Sequence, residues 1–142
     1  VAMLSGVVSG GVTGAVGHGV RQWVANRDTL WRVLRQSQIE NGSVAKGAFR
    51  PDKAGQVSVL RGPGWLVKRL VGRSSAFRDV GGFARLSKAA ITQSGLEVVP
   101  ARDLNLGFLL GRLHENIIYP GSSTMAKGEF DRLLLSIVQS LE

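Results

Sequence analysis

Frequent interruption of the apolar runs is what most constrains the fold of this chain. Asn41-Gly42, Pro51-Asp52-Lys53-Ala54-Gly55, Gly62-Pro63-Gly64, Gly95, Pro100 and Pro120-Gly121 are turn or stop signals. Between them there is room for short strands and short helices, and for little else. Gln56 to Leu60 reads as a strand with Val57 and Val59 on one face and Gln56, Ser58 and Leu60 on the other. Leu96 to Pro100 and Asn116 to Tyr119 read the same way, each stopped by a proline. Leu30-Trp31-Arg32-Val33 is either a first strand or part of a short helix capped by Asp28. Trp31, like Trp23 before it, reads as a core side chain.

Helical periods fill the remaining segments. Trp65 to Val71 suits a short helix, followed by a loop from Arg73 to Gly82. Gly82 to Ser94 places Phe83, Leu86, Ala90 and Ile91 on one side, with Gly95 as terminator. Leu104 to Leu113 fits helix or loop. After Ser122-Ser123, read as a cap, Phe130, Leu133, Leu134, Ile137, Val138 and Leu141 mark a C-terminal amphipathic helix. The expectation is an α+β domain: a small, mostly antiparallel sheet with helices packed on it. The chain has 142 residues and no cysteine, so its core must hold without disulfides, and thiolate metal sites are excluded.

The first twenty residues differ from the rest. They carry no formal charge and hold six glycines, with Gly6, Gly10 and Gly14 at the spacing of close helix packing in membranes. Residues 1–20 are read as a glycine-rich leader or linker, with membrane contact as an alternative, and residues 21–142 as the domain proper. The start at Val1, without methionine, suggests a piece processed from something longer.

Charge is concentrated as well. The net charge is +8, and residues 46–88 alone sum to +8, with ten basic residues against Asp52 and Asp79. Such a focused field suits a phosphate backbone, an anionic lipid surface or an acidic protein. No phosphate-loop, dinucleotide or metalloprotease pattern is present. Gly121-Ser122-Ser123-Thr124 is either an anion-binding turn or a plain helix cap.

His114 is the candidate general acid or base, since histidine is the residue type suited to proton transfer near neutral pH, whereas His18 lies in the leader. If Arg50, Arg61 and Ser58 converge on His114, the set amounts to a metal-independent ribonuclease site needing no cofactor. Histidine would move the proton, arginine would stabilise charge on the phosphate, and Ser58 would orient the substrate. Lys68, Arg69 and Arg73 would hold the RNA backbone.

Five segments carry a resemblance: Leu30-Trp31-Arg32, Ala48-Phe49-Arg50-Pro51, Val57-Ser58-Val59, Gly95 to Pro100, and His114 ahead of Ile117. Together they are similar to a family of small bacterial proteins without a firm biochemical function. The chain departs from that pattern at Glu115-Asn116 and in a longer connection from Pro100 to His114. The glycine-rich leader before a compact basic domain also resembles the C-terminal effector module of bacterial polymorphic toxins of the Rhs or contact-dependent inhibition type. That resemblance implies secretion or injection from a bacterium, action in a target-cell cytoplasm, an N-terminal carrier protein, and an acidic immunity partner. Within it, tRNA or rRNA is the expected substrate. The alternatives are an NAD-dependent ADP-ribosyltransferase, using Arg32, Ser58 and Glu115 or Glu129, and a non-catalytic basic domain docking an acidic protein. A zinc deaminase of the usual form is excluded by the missing cysteines.

Overall fold

The computed structural model describes residues 27–142. The leader, His18 and Trp23 lie outside the described residues. The strands are β1 (Thr29–Arg35), β2 (Ile39–Glu40), β3 (Ser43–Val44), β4 (Gln56–Arg61), β5 (Val80–Ser87), β6 (Glu97–Pro100), β7 (His114–Ile118) and β8 (Ser140–Leu141). The helices are α1 (Gly64–Arg73), α2 (Lys88–Gln93), α3 (Phe108–Leu113) and α4 (Lys127–Ile137). Short 3₁₀ turns occupy Gln36–Gln38 and Leu104–Leu106.

Six strands form one sheet in the order β6-β7-β4-β1-β5-β8, and every pairing in it is antiparallel. The expected α+β architecture is therefore the observed one. β2 and β3 make a separate hairpin around Asn41-Gly42, both with positive φ, as a two-residue turn of this twist requires.

Strand alternation divides the apolar residues between two cores. Leu30, Leu34, Val57, Val59, Ala84, Leu86 and Ile117 face Ile91 of α2, Phe130 and Leu134 of α4, and Phe49. Trp31 and Leu60 face the opposite way, against Val67 and Val71 of α1 and Leu110 of α3. Val57 and Val59 thus point into one core while Ser58 and Leu60 share the other side, as the alternation predicts. Full burial of a side chain such as Phe130 or Leu134 stabilises the fold by about 1.5–3 kcal/mol.

The segments of the family-like pattern have structural work. Trp31 is nearly fully buried and its indole N–H donates to the Gly62 carbonyl at 2.9 Å. Arg32 donates from Nε to the Ala48 carbonyl at 3.3 Å and from Nη1 to the Ser58 carbonyl at 3.0 Å. The amides of Gly47 and Phe49 both donate to the buried Asp131 carboxylate of α4, each at 2.8 Å. Arg32 and Asp131 therefore hold the 45–49 segment between sheet and helix.

Four expectations are corrected. The helix expected over Gly82 to Ser94 is strand β5 followed by the short α2, and β5 takes the end of the loop expected from Arg73 to Gly82. The last helix starts at Lys127 with Ala126 at its cap and no side-chain capping bond, so Ser122 and Ser123 sit in a turn ahead of it. Val138 and Leu141 lie beyond that helix, and Leu141 belongs to β8, which closes the sheet against β5. Asp28 caps no helix of its own. Its carboxylate accepts from the Ser87 hydroxyl and from the Ala89 amide, both at 2.7 Å, and so secures the start of α2.

Candidate functional site

The β4–β7 ladder decides which side chains meet. Val59 lies opposite Glu115, Leu60 opposite His114 and Ser58 opposite Asn116. Alternation therefore sends Glu115 and Arg61 to one face and His114 and Ser58 to the other. The expected convergence of Arg61 on His114 does not occur, because their positions on the two strands differ in parity.

Arg61 instead meets Glu115. Its Nε lies 2.8 Å from Glu115 Oε2, and Lys88 Nζ lies 2.9 Å from Oε1. Glu115 is only 3% exposed, whereas Arg61 and Lys88 are about a third exposed, at 36% and 31%. A buried carboxylate is held here by two cations that still reach solvent. Its desolvation is offset only while both partners remain, and breaking such a buried pair typically costs 3–5 kcal/mol.

These three residues line a cleft of about 520 Å³, together with Arg27, Asp28, Pro100 and Arg112. Four cations therefore surround two carboxylates, and Asp28 is committed to the start of α2. The cleft is basic, open and built from five separate parts of the chain: the segment before β1, the end of β4, the first residue of α2, the end of β6, and the α3–β7 junction.

His114 belongs to a second, smaller recess on the other face. Its volume is about 130 Å³, and its walls are Trp31, Val33, Leu60, Phe77 and Leu106 with Arg32, Ser58 and Asp103. That is close to the roughly 150 Å³ of a cavity that admits benzene. His114 is 8% exposed, and its Nδ1 lies 2.5 Å from the Ala101 carbonyl. A carbonyl only accepts, so Nδ1 is the donor in this contact. Ser58 and His114 do share this recess, as expected. Arg32 reaches it too, but its donors go to the Ala48 and Ser58 carbonyls, and burial pushes its guanidinium below the ordinary value.

The remaining expected site residues are dispersed. Arg50 is exposed on the segment held by Asp131 and lines neither recess. Lys68 pairs with Glu142 and sits over the Trp31 ring at 5.3 Å. Arg69 and Arg73 are exposed on α1, and neither lines the basic cleft. Glu129 is exposed in the first turn of α4, and Glu115 lies across the sheet from Ser58, so the grouping needed for the transferase alternative is split. Lys88 and Arg112 were missed as site residues. The available signal was Glu115 itself, a charged residue in a strand whose first four residues are all buried.

Among the described residues, no group of three or more His, Asp or Glu side chains is placed to hold a metal ion. None of their helices is long and apolar enough to cross a membrane. No family model matches the chain, and neither a curated protein nor a solved structure matches it.

Proposed function

We propose that this domain cleaves RNA without a metal ion, at the cleft of Arg61, Lys88 and Glu115. The observation that carries the reading is the buried carboxylate held between two partly exposed cations in a basic, open recess. A phosphodiester entering it competes for Arg61 and Lys88 and releases the Glu115 oxygens. Glu115 then takes the proton of the 2′-hydroxyl, whose oxygen attacks the adjacent phosphorus. The P–O5′ bond breaks as the new P–O2′ bond forms, leaving a 2′,3′-cyclic phosphate. Lys88 donates a proton to the departing 5′-oxygen, while Arg61 and Arg112 stabilise the charge on the phosphoryl oxygens.

This reading moves the proton-transfer role from His114 to Glu115 and keeps Arg61 as phosphate stabiliser. The toxin-like effector, its delivery from a bacterium and its action on tRNA or rRNA in a target cell remain part of the proposal. The support is the resemblance of the leader and basic domain together with the +8 charge.

Inducible expression in bacteria, with growth, total RNA and NAD followed in parallel, tests it. The expected result is growth arrest with discrete RNA cleavage that persists in EDTA and disappears in Glu115→Gln. Intact RNA with a falling NAD pool would replace this reading with the transferase. No arrest and no change in either pool would leave a binding domain only.

A further inference from the structure

A groove of about 560 Å³ runs between the end of α1 and the Leu104–Leu110 segment, and shares Leu106 with the recess of His114. Its apolar wall is unusually exposed: Leu104 is 76%, Phe108 65% and Leu109 55% accessible. Exposed apolar surface of this kind, rimmed by charge, marks interaction sites. The rim here is cationic. Arg73 lies on the α1 side, and Arg102 and Arg112 sit over the Phe108 ring at 5.9 and 4.8 Å. None of these three arginines takes part in an ion pair among the described residues. Asp103, next to Leu104 in the chain, accepts from the Asn105 amide at 3.0 Å.

We infer that this groove docks an acidic segment of a protein partner that inserts leucine- or phenylalanine-like side chains between Leu104, Phe108 and Leu109. Charge complementarity selects the partner, since three guanidiniums outside any ion pair among the described residues frame the wall on a chain of net charge +8. A single-stranded nucleic acid fits less well. Base binding needs a succession of free aromatic faces, whereas this wall is mostly aliphatic and its one ring already carries two guanidiniums. Arg112 also lines the basic cleft, so an occupant of the groove would cover the cleft's edge. That consequence rests on the ribonuclease reading, whereas the docking does not.

Selection from a displayed library of random peptides, followed by calorimetry on the whole chain, tests the inference. The expected consensus combines Asp or Glu with Leu, Phe or Trp. Its affinity should fall about tenfold or more in the double variant Leu104→Ser/Leu109→Ser, and also in Arg73→Glu/Arg102→Glu. The leucine variant alters only exposed side chains outside the cleft, and an unchanged thermal midpoint confirms its fold. Failure to enrich acidic–apolar peptides overturns the inference, as does equal binding by the variants. So does protection of the groove by a single-stranded RNA oligonucleotide, or self-association abolished by the leucine variant. Peptide binding without inhibition of RNA cleavage would contradict only the consequence for the cleft.

Discussion

Asp131 and Glu115 are both buried acids, yet they serve different ends. Asp131 accepts two backbone amides and has no cationic partner in an ion pair among the described residues. Replacing it with alanine leaves the Gly47 and Phe49 donors without their acceptor and should cost about 2–6 kcal/mol, at roughly 1–3 kcal/mol per unmade buried bond. Chemical denaturation checks the value, and Asp131→Asn should recover part of it. Glu115 is held by the side chains of Arg61 and Lys88, which still reach solvent. The isosteric Glu115→Gln should therefore retain the fold with a smaller loss of stability than Glu115→Ala, measured the same way. Little of this was legible in the sequence. Asp131 stands in the first turns of an amphipathic helix, where a solvent-facing acid is the ordinary expectation. Only the return of the 45–49 segment to α4 makes it a buried acceptor.

At the scale of elements, turn signals and strand alternation read well, because both are local. Asn41-Gly42, the Gly55-to-Leu60 transition and the proline-stopped strands all follow from backbone preferences. The segment from Val80 to Gln93 did not read well, for a physical reason. Phe83, Leu86, Ala90 and Ile91 fit a helical period, while the inward positions of the actual strand include Gly82 and Ala84, too small to show alternation. Those small residues reflect close packing that composition alone does not reveal. A Cβ on Gly81 would lie 2.9 Å from the Gln36 Cα, and one on Gly82 would lie 3.1 Å from the Glu142 carbonyl. Gly111 of α3 is the most crowded, since a Cβ there would approach the Asp103 carbonyl oxygen to 2.3 Å. Gly111→Ala should therefore displace the 103–107 segment and destabilise the domain by about 1–3 kcal/mol, seen as a lower thermal midpoint. The site followed the same division. Which face Ser58 occupies was legible, but the register that separates Arg61 from His114 depends on the pairing of two distant strands.

At the scale of the whole molecule, the C-terminal strand is tied across the sheet. Gln139 donates to the Arg85 carbonyl, and Phe83 and Glu142 exchange backbone bonds at 2.8 and 2.9 Å. The Glu142 carboxyl is held below the usual carboxylate range chiefly by its hydrogen bond from Lys68. Its contribution to stability is therefore complete above the unfolded-state value and is lost as pH falls through the folded-state value. The pair is largely exposed, so the effect is small and screened by salt. The protection of the Phe83 amide against exchange should fall as pH drops below the ordinary carboxylate range, and less so in Lys68→Ala, where the coupling is already gone. The charge distribution was legible as a total, but its partition was not. Arg61, Lys88 and Arg112 come together from distant parts of the chain, whereas Arg50, Arg69 and Arg73 disperse.

In the proposed reaction Glu115, and not His114, carries the proton at a phosphodiester. Incubation of the purified chain with single-stranded RNA in EDTA, with analysis of the product ends, tests it most directly. The account predicts 2′,3′-cyclic phosphate ends, a rate about a hundredfold or more lower in Glu115→Gln, and substantial activity in folded His114→Ala. Full activity in Glu115→Gln, or its loss in folded His114→Ala alone, would contradict it.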